Sequence, residues 1–211
     1  MSSFPGSPRL LKGAIVSGLK AIVFQYNPEK LTRTLTASTT AVGGVSGGSD
    51  LLRLKGPPAE TIALDIFLDA SDELEEDKQS ASTLGIYPKL AALETLLYPL
   101  SYRMIANEAL ALVGVIEVVP PAPSLTLLVW GTNRVVPIRI ISFQVTEEQF
   151  DPSLNPIRAS VKLSVQVLTY QDLGMASVGG GLSMANHIQK ESLSSKLATK
   201  SALSAIKKGG G

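Results

Sequence analysis

The run Ile157-Arg158-Ala159-Ser160-Val161-Lys162-Leu163-Ser164-Val165-Gln166-Val167 sets apolar residues at every odd position and polar ones at every even position. A period of two is the mark of a strand with one face buried and the other wet. A slip of one residue would turn the whole apolar set to water, so the register of this strand is tightly specified. Just upstream, Ile141, Phe143 and Val145 alternate with Ser142, Gln144 and Thr146, and the two runs flank residues 148–156. Together they predict a long hairpin. Ile138 and Ile140 have the opposite parity to Ile141 and Phe143, so a bulge or bend is expected after Pro137.

Working outward, residues 125–130 lead into the turn sequence Gly131-Thr132-Asn133 and the β-branched pair Val135-Val136, which predicts a second hairpin. Ile62, Leu64, Ile66 and Leu68 alternate with Thr61, Ala63, Asp65 and Asp69, with Phe67 on the polar face, and read as a further strand. Residues 14–26 are apolar and β-branched around Gly18, Asn27-Pro28 makes a turn, and 31–35 is a short strand, giving about six strands. One segment before the C-terminal region reads as helix, residues 86–98, with Ile86, Leu90, Leu93, Leu96 and Leu97 on one stripe. Pro88 fits its first turn and Pro99 stops it. The Gly/Ser/Thr-rich stretch 36–58 reads as a flexible loop, and 106–123, mixed in period, leans towards strand. After Tyr170, Gly179-Gly180-Gly181 reads as a linker. Residues 184–208 carry Ile188, Leu193, Leu197, Leu203 and Ile206 among five lysines, a weakly amphipathic basic helix that needs a partner to be stable. The expected fold is mainly β with one flanking helix, in a domain over 1–173 followed by a tail over 174–211.

Composition narrows function. At 211 residues with 45% apolar and 18% charged content the chain is globular, and 18 Gly and 13 Pro suit many turns. Nineteen basic against 18 acidic residues leave a net charge of +1, which carries no nucleic-acid footprint. Without cysteine, and with His187 as the single histidine, thiol chemistry, disulfides and multi-histidine metal sites are excluded. Lys12 and Lys20 interrupt the apolar stretch 13–24, so no signal peptide is expected there, and 109–116 is far short of the ~20 residues of a membrane span. Synthesis in the cytoplasm without a transmembrane segment is the expectation.

Carboxylate chemistry is all that stays open. Asp69, Asp72, Glu73, Glu75, Glu76 and Asp77 form the densest acidic cluster, but the residue order of a calcium loop is absent and the cluster reads as a solvated turn. His187 lies in the tail, away from the rigid support that a catalytic base needs. Nucleophile elbow, phosphate loop and dinucleotide fingerprint are all missing. The chain is therefore read as non-enzymatic, with no catalytic, cofactor-binding or metal residue and no cofactor. Candidate interface residues are the wet face Arg158, Ser160, Lys162, Ser164 and Gln166, with Trp130 at a strand end and Asn133 in the turn after it.

Several motifs in fixed order carry a resemblance. They are Phe24-Gln25-Tyr26-Asn27-Pro28-Glu29-Lys30-Leu31-Thr32-Arg33-Thr34, Leu64-Asp65-Ile66-Phe67-Leu68-Asp69-Ala70 and the helix 90–97. Leu128-Val129-Trp130-Gly131, Val136-Pro137-Ile138-Arg139-Ile140, the run 146–159 and Leu168-Thr169-Tyr170 follow. Over residues 12–173 the chain resembles the tube-domain adaptors of phage-tail-like contractile injection systems, baseplate and hub components that often carry a LysM module. The resemblance implies a tail-tube-type β-sandwich or half-barrel whose copies, six in the family, form a ring continuing the inner tube towards the spike. It implies as partners further copies of the chain, the inner tube protein, the spike or hub, and other baseplate and sheath subunits, within a phage-tail-like particle. No LysM module follows residue 173, so glycan binding is not carried over. Two other readings stand beside the structural one: a small-molecule-binding β-barrel, and a glycan-binding baseplate protein. A hydrolase built on the acidic cluster is a third.

Overall fold

The computed structural model of the protein describes residues 11–38, 54–71, 84–112 and 124–209. Its elements in chain order are β1 (Ala14–Ser17), β2 (Lys20–Val23), β3 (Leu31–Thr36), β4 (Ala59–Asp69), α1 (Tyr87–Glu94), α2 (Ser101–Leu112), β5 (Thr126–Val129), β6 (Val135–Phe150), β7 (Pro156–Val167), α3 (Tyr170–Leu173) and α4 (Val178–Gly209). All seven strands join one antiparallel sheet in the order β2-β1-β5-β6-β7-β4-β3. The mainly β fold expected from the alternating runs is the one observed. Among the described residues the sheet is open, and its strands do not close into a barrel.

The alternating run 157–167 lies in β7, with Ala159, Val161, Leu163, Val165 and Val167 buried. Register places them beside Ile62, Leu64, Ile66 and Leu68 of β4, and beside Ile138, Ile140, Phe143 and Val145 of β6. Every strand adds its own apolar residues to this face, down to Ile15 and Ile22 at one margin and Leu31 at the other. The parity switch in β6 is a bulge: Ile140 opposes Val165, Ser142 opposes Ser164, and Ile141 is left over and 54% exposed. The bulge keeps the apolar side chains of both halves of β6 on the buried face.

Topology also fixes curvature. Residues 24–30 alone connect β2 to β3, the two outermost strands of the sheet. Six strand spacings of ~4.8 Å make a flat sheet ~29 Å wide, about the most that a fully extended connection of this length can span. The connection bends, and its Gln25 amide binds both backbone groups of Asp69 at the end of β4, at 2.8 and 3.1 Å. The sheet is therefore rolled, with its apolar face inside. Phe24 is sealed there against Trp130, ring centroids 6.3 Å apart.

α1 lines the roll through Ile86, Leu90 and Leu93, all buried. It is shorter than the predicted 86–98, since the chain leaves the helix after Glu94 through turns rather than at Pro99. Three further expectations need correction. The apolar stretch 14–26 is a tight hairpin turning at Gly18-Leu19, with Gly18 at φ +58°. α2 is a second helix where 106–123 leaned towards strand; residues 113–123 lie outside the described ones. Gly179, Gly180 and Gly181 occupy the first turn of α4 instead of an open linker. Most of the loop 36–58 and of the acidic cluster, residues 39–53 and 72–80, lies outside the described residues.

Candidate assembly interface

The wet face of β7 is the middle row of a three-strand polar surface. Lys162 stands between Asp65 of β4 and Gln144 of β6, and Arg158 between Asp69 and Glu148. The Arg158 Nε donates to Asp69 Oδ2 at 2.7 Å, and Arg139 Nη2 donates to Gln166 Oε1 at 2.7 Å. Burial works to raise the Asp69 pKa, but hydrogen bonds from Ser71 and Arg158 outweigh it and hold the carboxyl below its ordinary value. Opposite charges on adjacent strands give this face a laddered polar surface. It brings Arg158, Ser160, Lys162, Ser164 and Gln166 together as the alternation requires. Trp130 and Asn133 are not part of it. Trp130 packs on Phe24 at the core margin, while the Asn133 Oδ1 accepts from Gln189 of α4 at 3.2 Å.

A second feature, which the candidate set omits, is a free strand edge. β5 pairs with β6 only as far as Ile138, and among the described residues no strand continues along that side of residues 139–150. The edge is roughly 40 Å long at ~3.4 Å per residue. Such an edge is a row of unused backbone donors and acceptors, a template for another strand. The corresponding exposed end of β4, beyond its pairing with β3, is plugged by Gln25.

A third feature lies at the far end of the sheet. Glu60 has the parity of Ile62 and Leu64 and is buried on the apolar face at 6% exposure. It accepts from Arg33 Nε of β3 at 2.6 Å and from Lys190 Nζ of α4 at 3.3 Å. Desolvation works to raise its pKa, but the Arg33 hydrogen bond and the Lys190 charge prevail and hold it below the ordinary value. This ion pair, with the Asn133–Gln189 contact and the Tyr170–His187 ring stack, seats α4 on the sheet. α4 and the sheet bound a groove of about 580 Å³ lined by Leu35, Pro58, Val136, Val167, Tyr170 and His187 among others. A charged residue in phase with an apolar set was the signal for Glu60. Its partners, 27 and 130 residues away in sequence, left none.

Among the described residues no group of histidine and acidic side chains is arranged to hold a metal, and no helix is long and apolar enough to cross a membrane. A comparison with curated proteins gives no match. A comparison with protein families matches residues 13–174, about three quarters of the chain, to the contractile injection system tube protein family. That span runs from the start of β1 to the end of α3, taking in the whole sheet. By this match the chain belongs to the contractile injection system tube proteins, structural components that self-assemble within a tail-like particle.

Proposed function

We propose that this chain is the baseplate adaptor of its particle, a ring of six copies that joins the inner tube to the spike and its hub and touches sheath and other baseplate subunits. Residues 1–173 are the tube-like unit in this reading and 174–211 the segment that docks on neighbouring subunits. Its work is mechanical and needs no catalytic group, cofactor or metal. The observation that supports it is the edge of β6, unpaired among the described residues: a ring of identical copies needs a strand edge that a neighbour can complete. The polar face through Arg158, Ser160, Lys162, Ser164 and Gln166 is the surface turned to the lumen or to the adjoining ring, with Trp130 and Asn133 at its boundary with the next copy.

Quantitative mass spectrometry of purified particles tests the adaptor role. A ring adaptor gives about one ring's worth of copies per spike, and deleting its gene yields particles that lack the spike. A copy number that scales with tube length makes the chain a tube subunit instead and overturns the adaptor reading.

A further inference from the structure

The two ends of β6 are chemically opposite. At its far end the hairpin 147–155 carries Glu147, Glu148 and Asp151 and no basic residue. Its tip is rigid: Asp151 Oδ1 accepts from the backbone N–H of Ser153 at 2.7 Å and of Asn155 at 2.8 Å, and Oδ2 accepts from the Asn155 amide at 2.8 Å. These bonds, with Asn155 foremost, keep the Asp151 carboxyl below its ordinary pKa. The same tip holds Leu154 at φ +64°, with its side chain 75% exposed. That backbone region favours Gly and Asn, and a leucine there is strained. Phe150 beside it is 50% exposed. Leu154 is mostly exposed and Phe150 half exposed, so both leave apolar surface in water.

At the start of β6 the pocket between sheet and α4 is the complement. Arg33, Arg134 and Lys190 surround the single carboxylate of Glu60, with Trp130, Asn133 and Gln189 on the walls, in a volume of about 380 Å³. Burial first, and the charge of Arg33 second, hold the Arg134 pKa below its ordinary value, against the opposing pull of Glu60. Trp130 and the half-exposed Leu193 offer apolar surface beside the cations. β6 separates pocket and tip by roughly 50 Å along the strand, so one chain cannot satisfy both.

We propose that the acidic hairpin tip of one copy docks in the Arg33–Arg134–Lys190 pocket of the next, its carboxylates meeting the cations and Leu154 and Phe150 covering Trp130 and Leu193. The contact is head-to-tail, so each copy gives a tip and receives one, and the same contact serves a closed ring or a stack. It needs the self-association of the family and not the adaptor role.

The cysteine-free chain makes the test direct. The full-length Ser153→Cys and Asn133→Cys variants are mixed and treated with a short bis-maleimide. The expected product is a cross-linked pair in the mixture and little in either variant alone. Raised salt, which leaves the fold untouched, reduces the yield. Adding Glu147→Lys to the tip variant lowers it about tenfold, and Arg134→Glu on the pocket variant restores part of it. Thermal melting confirms that each variant is folded. Equal cross-linking in the single-variant samples, a yield indifferent to salt and charge reversal, or no cross-link at any concentration overturns the proposal. Copy number per particle, which decides the adaptor role, is a separate readout.

Discussion

Glu60 shows how one residue ties the C-terminal helix to the sheet. A buried carboxylate is tolerated because Arg33 and Lys190 reach it from two different elements. Replacing it by glutamine keeps the shape and removes the charge, so Glu60→Gln should cost about 1–3 kcal/mol in urea unfolding, at the lower end because Lys190 is half exposed. The sign with pH follows from the direction of its shift. The folded carboxyl titrates below the ordinary 4.5, so its stabilisation is present above that pH and is lost as pH falls through it towards the folded value. Wild type should lose stability more steeply than Glu60→Gln below about pH 4.5. Equal slopes in the two proteins would remove Glu60 from the account.

At the scale of elements, β7 and α1 organise the rest. Val161 is fully buried between Ile66 and Val145. Val161→Asp should unfold the domain, with a cost of several kcal/mol visible as loss of the cooperative melt. α1 is too short to persist alone and is pinned at its start by the Ile86 N–H on the Pro156 carbonyl at 3.0 Å. Gly85 makes this approach possible: it has φ +55°, and a Cβ there would run into the Pro156 oxygen. Gly85→Ala should cost about 1–3 kcal/mol by thermal melting; an unchanged melting temperature would show that α1 docks some other way. The strands were legible because a half-buried face writes a period of two into the sequence, and the bulge at Ile141 because it reverses that period. α2 escaped because most of its side chains are exposed, so its apolar residues mark no buried stripe. The start of α4 escaped for a tertiary reason. Glycines are poor helix formers, yet a Cβ on Gly180 would strike the Gly174 carbonyl and one on Gly179 would crowd Leu173 and Leu125. Close packing against α3 selects the residues that propensity argues against.

For the whole molecule, the roll of the sheet follows from one short connection between its two margins, a long-range fact that no local pattern carries. The wet face of β7 was readable as a row of residues, whereas the free side of β6 was not. Among the described residues it arises where the β5 pairing ends, at Thr126 opposite Ile138, and a pairing that ends leaves no trace in composition. Among the described residues nothing pairs with that edge, and the core is complete without it.

The most direct measurement is a density map of the assembled particle at a resolution that separates strands. The account predicts residues 139–150 inside a sheet that crosses the boundary between copies, hydrogen-bonded along their free side to a strand of the neighbouring chain. A map in which that side of β6 faces solvent, or is closed by residues of its own chain, contradicts it.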